Sequence, residues 1–225
     1  MKKKYIIFDF DGTIANTNDI IVASWQATFE HYLGHAMSVR DIEATFGETL
    51  VNTIGRLIPD APVDEVVDFY RAYQDSHKNE SIVYIFPGIK ELLEELRARG
   101  CIIGVGTSRT AYSFWNYMKM FGMEDSVDEV VTMNDVTAHK PDPETIDAVL
   151  RKMTARGEEP QDPEEVRAAA IMIGDTKYDI GCANNAGVDS VIVGWSHYVD
   201  EEAMIAEGFV PSYHIDRPDQ LLDII

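Results

Sequence analysis

The chain has 225 residues, of which 45% are hydrophobic and 10% aromatic, and it carries a formal net charge of −20. This composition is typical of a globular protein with a sizeable core and excludes a disordered chain. The negative charge disfavours nucleic acid and anionic membranes as partners, because both bind basic surfaces.

The N-terminal sequence MKKKYIIFDF has a basic start but only four apolar residues before the first acid. Such a run is too short for a signal peptide or a membrane span, so we expect a cytoplasmic protein. The two cysteines, Cys101 and Cys182, form no CxxC pattern. The sequence therefore predicts neither a disulfide framework nor a zinc site.

Short apolar runs alternate with amphipathic segments through most of the chain. The apolar runs predict strands near 6–8, 101–106, 129–133, 169–174, 190–195 and 213–215. The amphipathic segments predict helices at 88–99, 110–121, 143–155, 177–186, 200–207 and 217–223. The polar segment 157–165 is interpreted as a surface loop. This alternation predicts an α/β fold, in which a Rossmann-like parallel sheet carries helices on both faces.

Residues 16–85 interrupt this alternation. Apolar side chains such as Ile21, Trp25 and Phe29 recur there at helical spacing, and the segment contains no convincing strand. We therefore expect a small all-helical cap domain at 16–85, inserted after the first strand, and a catalytic core formed by 1–15 and 86–225.

The first predicted strand ends on two acids, in the sequence YIIFDFDGT. Asp9 and Asp11 are two residues apart, a spacing that places both side chains on one face of a strand. Two adjacent carboxylates repel each other unless a cation or a shared proton compensates for their charges. This pattern therefore predicts a metal site or an acid–base pair.

Further polar side chains follow the later strands. They are Thr107 and Ser108 in GTSR, Lys140 in AHKPDPE, and Asp175 and Asp179 in GDTKYD. We expect them to converge with the first two acids, because the carboxyl ends of parallel strands form one ligand-binding edge. Carboxylates can hold Mg²⁺, a lysine and the metal can neutralise a phosphate, and an aspartate can attack it. The set predicts phosphoryl transfer.

These motifs resemble those of the haloacid dehalogenase superfamily. DFDGT at 9–13 is similar to its first motif, Thr107 to the second, Lys140 in HKPDPE to the third and GDTKYD at 174–179 to the fourth. The helical insert resembles the small cap of the branch that contains phosphoglycolate phosphatase and β-phosphoglucomutase. The resemblance implies the same catalytic core and cap.

The resemblance also implies roles for individual residues. Asp9 would be the nucleophile, and Asp11 would protonate the leaving group and then activate water. The cofactor would be Mg²⁺, held by the Asp9 carboxylate, the Asp11 backbone carbonyl and Asp175, with Asp179 in support. Thr107 and Lys140 would bind the transferring phosphoryl group.

Substrate selection is expected in the cap and beside the second motif. Gly47 lies where this branch often has a glycine in a substrate-facing loop, and Ser108 is a further candidate for binding substrate. Arg40 and Arg56 are cap cations that could meet a second anionic group. The competing interpretation of both arginines is that they are ordinary surface residues.

The resemblance predicts a Mg²⁺-dependent phosphatase that acts through an aspartyl phosphate. Its partner would be a small phosphomonoester, such as a phosphoglycolate-like compound, a sugar phosphate or a nucleotide. Asp11 argues against a dehalogenase, which needs no acid for an alcohol leaving group. A β-phosphoglucomutase-like sugar phosphomutase, a pyrophosphatase and an inactive binding module stay open as alternatives. A monomer or a homodimer is expected.

Overall fold

The computed structural model describes residues 3–78, 82–157, 162–196 and 201–225. Strands and helices are numbered in chain order. The strands of the main sheet are β1 Tyr5–Phe8, β4 Ile102–Gly106, β5 Glu129–Val131, β6 Ala170–Gly174, β7 Asp189–Val193 and β8 Tyr213–Ile215. All neighbouring strands in this sheet pair in parallel, in the order β5-β4-β1-β6-β7-β8.

The helices follow the strands in the alternation that the sequence predicts. They are α1 Asn18–Leu33, α2 Val39–Glu43, α3 Leu50–Leu57, α4 Val63–His77, α5 Ile89–Ala98, α6 Ala111–Phe121, α7 Glu144–Thr154, α8 Pro163–Ala168, α9 Lys177–Ala186 and α10 Glu201–Ala206. Met133–Asp135 and Pro218–Asp223 are 3₁₀ helices.

The central strand β1 is buried on both faces. Ile6 and Phe8 belong to one apolar cluster with side chains of α5 and α6, such as Leu92. Tyr5 and Ile7 belong to a second cluster with side chains of α7 and α9. Because successive strand residues point to opposite faces, this division places helices on both sides of the sheet. The predicted α/β class is confirmed.

Two predicted elements differ from the structure, and one predicted boundary is untested. The segment 157–165 is not a loop throughout, because α8 begins inside it at Pro163; residues 158–161 lie outside the described residues. The Asp162 side chain accepts hydrogen bonds from the backbone N–H groups of Glu164 and Glu165, a helix start visible in the sequence DPEE. The predicted helix at 217–223 is a 3₁₀ helix. Residue 200, predicted to begin a helix, also lies outside the described residues.

The insert, residues 16–85, contains α1 to α4, which bury a separate apolar cluster that includes Trp25, Phe29 and Tyr70. Two short strands lie at its ends, β2 Ala15–Asn16 and β3 Tyr84–Ile85, and they pair antiparallel. The sequence does not predict these strands, because two residues are too few to show a strand period. The division into core and cap domains stays a prediction.

Cys101 and Cys182 are both buried. Within the described ranges, no helix combines the length and the apolar character that crossing a membrane requires.

Candidate active site

Lys140 connects the ends of two neighbouring strands, β1 and β4. Its Nζ donates to Asp9 Oδ1 at 2.9 Å, to Asp179 Oδ1 at 2.6 Å and to the Gly106 carbonyl at 3.2 Å. Burial alone would lower the pKa of Lys140, but the charges of Asp179 and Asp9 outweigh burial and raise it. The lysine is therefore a fixed cation at the carboxyl edge of the sheet.

Asp179 is fully buried on the first turn of α9, and hydrogen bonds engage both of its carboxylate oxygens. Oδ1 accepts from Lys140, and Oδ2 accepts from Thr176 N at 3.0 Å and from Thr176 Oγ1 at 2.6 Å. These bonds hold the start of the helix and the lysine together. The geometry is consistent with the supporting role that the resemblance implies.

Asp175 lies at the end of β6 with one oxygen free. Ser196 Oγ donates to its Oδ2 at 2.8 Å, whereas its Oδ1 is buried without a hydrogen-bond partner among the described residues. A Cβ on Gly12 would come within 1.8 Å of Asp175 Oδ2, and Gly12 has a φ of +71°. The glycine of DFDGT therefore lets the backbone pass directly against this carboxylate.

The acidic cluster fits a divalent cation. Asp9, Asp175 and Asp179 each offer an oxygen, and these atoms lie within 4.8 Å of one another. Burial raises the pKa of Asp9 to about 7, although the positive charge of Lys140 acts to lower this pKa. Burial, together with the charges of Asp179 and Asp9, raises the pKa of Asp175 well above its usual value. Carboxylate oxygens suit Mg²⁺, and the orphaned Asp175 Oδ1 is a free ligand atom for it.

The Asp11 side chain is bonded to Arg109 and Thr17. Arg109 donates to it from Nε, at 2.7 Å to Oδ1 and 2.8 Å to Oδ2, and Arg109 Nη2 lies 2.6 Å from Oδ1. Thr17 Oγ1 also donates to Asp11 Oδ1. Only the backbone carbonyl of Asp11 is left for the metal role that the resemblance implies.

Thr107 and Ser108 follow β4 directly. Thr107 comes after Gly106, whose carbonyl accepts from Lys140, and Thr107 Oγ1 accepts from the backbone N–H of Arg109 at 3.2 Å. Ser108 Oγ donates to the carbonyl of Gly47 in the insert at 3.0 Å. The second motif thus touches both the sheet edge and the insert.

The loop at Gly47 joins the insert to α9. Gly47 has a φ of +88°, and a Cβ there would meet the Tyr178 ring at 2.5 Å. Tyr178 Oη donates to Glu48 Oε1 at 3.2 Å. Arg56 also donates to Glu48, at 2.9 Å, and its side chain is 51% exposed. Gly47 also lines the cleft described next, and its contact with substrate stays a prediction.

A cleft of about 150 Å³ lies between the sheet edge and the insert. Asp9, Asp11, Lys140 and Asp175 line it on the sheet side, together with Ser108. The insert contributes the side chains of Ile21, Trp25, Phe46, Leu50, Val51, Arg71 and Gln74.

The described arginines that line the cleft are Arg71 and Arg109. Arg40 and Arg56, the cap cations singled out in the sequence, are absent from its lining. Their contact with substrate stays a prediction that this placement does not support. Arg109 was visible in the motif GTSR but had no assigned role. No sequence pattern indicated that Arg71 faces the cleft.

The sequence similarities agree with the motifs and the fold. Residues 6–193 match the haloacid dehalogenase-like hydrolase family, and the chain belongs to this family. A pyrophosphatase PpaX of Bacillus mycoides is 31% identical over 225 residues, which cover 100% of this chain and 98% of the relative. A pyrophosphatase PpaX of Halalkalibacterium halodurans is 30% identical, with the same coverage of 100% and 98%.

A solved structure has a similar fold. It is a haloacid dehalogenase-like hydrolase from Bacteroides fragilis, with a TM-score of 0.80 and 24% sequence identity. The match covers 98% of this chain and 100% of that chain. At this identity the similarity supports the fold alone, and the substrate needs a separate argument.

Proposed function

We propose that this chain is a Mg²⁺-dependent phosphatase that moves the phosphoryl group of a small metabolite first to Asp9 and then to water. The observation that carries this proposal is the buried cluster of Asp9, Asp175, Asp179 and Lys140, in which Lys140 pairs with Asp9 and Asp179, and Asp175 offers an oxygen within 4.8 Å of oxygens of both acids. Such a site is short of positive charge, and it supplies both a nucleophile and metal ligands.

In the proposed reaction, an oxygen of Asp9 attacks the phosphorus atom and the bond to the leaving oxygen breaks. Asp11 gives its proton to that oxygen, and Lys140 and Thr107 hold the oxygens of the transferring group. Asp11 then takes a proton from water as the water attacks the aspartyl phosphate, which releases phosphate and restores Asp9. Mg²⁺, held by Asp9, Asp175 and the Asp11 carbonyl, would neutralise charge on the phosphoryl oxygens.

Two substrate classes fit this chemistry. Small phosphomonoesters suit the cleft, because its insert side offers apolar side chains such as Trp25 and Leu50 to an organic leaving group. Pyrophosphate is the second candidate, favoured by the full-length similarity to proteins named pyrophosphatase PpaX.

A sugar phosphomutase would use the same two aspartates. We keep the cytoplasm as the expected location and a monomer or homodimer as the expected state.

The test is phosphate release in the presence of Mg²⁺ from pyrophosphate, phosphoglycolate, hexose phosphates and nucleoside monophosphates. Asp9→Asn should reduce release below about 10⁻³ of the wild-type rate, because losing a covalent nucleophile costs other enzymes more than this. Asp125→Asn, which changes an exposed acid, is the matched control. A phosphorylated Asp9 peptide in quenched turnover would identify the intermediate.

The outcomes separate the alternatives. Release from one substrate supports a specific phosphatase, and release from many supports a generalist. Isomerisation of a sugar phosphate without release would replace the proposal by the mutase. Neither release nor isomerisation would favour a binding module, and full activity of Asp9→Asn would contradict the nucleophile assignment.

A further inference from the structure

Arg109 is a buried cation whose described acidic partner is Asp11. Its side chain is 9% exposed, and its guanidinium group lies over the Tyr117 ring at 4.6 Å from the centroid. Nε and Nη2 face Asp11, and Nη1 donates to Ser113 Oγ at 2.7 Å. Burial would lower the pKa of Arg109, but the charge of Asp11 outweighs burial and raises it. The arginine therefore keeps its charge.

The proposed reaction requires the Asp11 carboxylate at a different place. To protonate the leaving oxygen, Asp11 must turn from Arg109 and Thr17 toward the phosphoryl group beside Asp9. A buried cation that loses its counter-charge is strongly unfavourable. The movement of Asp11 therefore becomes easier if another anion takes its position beside Arg109.

The cleft is built to receive such an anion. Arg109, Ser113, Arg71, Gln74 and Asn18 all line it, and each carries hydrogen-bond donors. Arg71 is exposed and forms no ion pair among the described residues. A substrate with its transferring phosphoryl group at Asp9 would extend its leaving group into this part of the cleft.

We propose that Arg109 binds a second anionic group, a phosphate or a carboxylate, on the leaving group of the substrate, in exchange for Asp11. This inference rests on the proposed function and adds the residue that selects the substrate. Substrates with a second anion would release Asp11 for proton transfer as they bind. Substrates with a neutral leaving group would leave Asp11 held by Arg109.

Binding measurements test the exchange without turnover. Isothermal titration calorimetry with Mg²⁺ would compare three probes: inorganic phosphate, methylenediphosphonate and phosphonoacetate. We expect the wild-type chain to bind a probe with two anionic groups at least about tenfold more tightly than phosphate, as hydrogen bonds to charged groups allow. The tighter of the two probes identifies phosphate or carboxylate as the second anion. Equal binding of all three probes by the wild-type chain would overturn the proposal without any variant.

Variants of Arg109 then locate the effect. Arg109→Gln should lower the preference for the two-anion probe by about tenfold, and Arg109→Lys should keep part of it. Arg151→Gln removes an exposed arginine from α7 and should keep the full preference. Circular dichroism would check that each variant is folded. An unchanged preference in a folded Arg109→Gln variant would overturn the proposal.

Kinetics separate this inference from the proposed function. In Arg109→Gln, the ratio of the KM for the two-anion substrate to the KM for p-nitrophenyl phosphate should rise about tenfold, whereas Arg151→Gln should leave this ratio unchanged. An equal loss of kcat/KM on both substrates would mean that Arg109 acts only by positioning Asp11, and the exchange would be wrong. If the wild-type chain releases phosphate from no substrate, the proposed function fails. The calorimetric comparison of the three probes still decides whether Arg109 binds a second anion.

Discussion

The two walls of the cleft hold their charges in different ways. On the sheet side, Asp9, Asp175, Asp179 and Lys140 are at most 6% exposed, and hydrogen bonds from Lys140 hold Asp9 and Asp179. On the insert side, Arg71 is exposed. Separating a buried ion pair leaves an unpaired buried charge, which costs much free energy, so buried pairs stay in place. An exposed charge gains little free energy from an ion pair and is not held in one position. Chemistry is therefore preorganised on the sheet wall, and the insert wall can adapt to substrate.

The largest effect that would test this difference is expected from Lys140→Met. The change leaves Asp9 and Asp179 buried without their cation, so the free energy of unfolding should fall by roughly 3–5 kcal/mol. Urea denaturation in EDTA would measure it. Lys152→Met, which breaks an exposed pair with Asp135 at 3.6 Å, should cost no more than about 1 kcal/mol. Similar losses in the two variants would show that the buried cluster is not held by its charges.

The next largest effect is expected on the stability of the folded chain when pH and Mg²⁺ are varied. Burial raises the pKa of Asp9 from 3.8 to about 7, so the folded chain binds this proton more tightly than the unfolded chain. Stability of the metal-free chain should therefore fall as pH rises between these two values. Mg²⁺ should reverse the loss, because it binds the charged carboxylates.

Thermal unfolding with EDTA and with Mg²⁺ would measure this effect. At about pH 8, Mg²⁺ at 100 times its Kd at that pH should raise Tm by about 5–10 °C. The same Mg²⁺ concentration should raise Tm by much less at about pH 5, where protons compete for the carboxylates. Asp9→Asn serves as the control, since it should flatten the part of the pH dependence that Asp9 causes. An equal increase in Tm at both pH values would contradict the assignment of these acids to the metal.

The smallest effect is expected where Glu48 of the insert wall meets Tyr178 of α9. Tyr178→Phe removes the hydrogen bond to Glu48 at 3.2 Å but keeps the ring beside Gly47. The free energy of unfolding should change by no more than about 1 kcal/mol, and KM should rise by no more than about fivefold. Tyr112→Phe is the control, because Tyr112 is 69% exposed. A loss as large as that in Lys140→Met would show that the insert wall is as rigid as the sheet wall.

Much of the sheet wall could be predicted from the sequence. Asp9, Lys140 and Asp175 follow or lie near strand ends, and parallel strands bring their carboxyl ends together whatever the connections between them. Gly12 was part of the recognisable motif, and its contact with Asp175 explains why a glycine is required there. The strand positions of the main sheet were also predictable, because its strands lie in short apolar runs.

The insert wall was not predictable in the same way. Arg40 and Arg56 were the candidate cations in the sequence, with an ordinary surface position as the competing interpretation. The structure pairs Arg56 with Glu48 and brings Arg71 to the cleft. Helical periodicity shows which residues share a face, but it does not show which other element that face meets. The start of α8 is a different case, since Asp162 and Pro163 form a helix-start signal inside a segment whose polar composition predicts a loop.

The sequence by itself determined the fold class, the family and the set of acids and lysine at the sheet edge, because local periodicity and motif order are sufficient for them. The tertiary structure alone decided which charges pair. Asp11 and Arg109 are 98 residues apart, and their ion pair depends on the side-chain conformations and on the packing of α6 beside β1. No local pattern encodes such a pair, because it forms only when distant strands and helices are brought together.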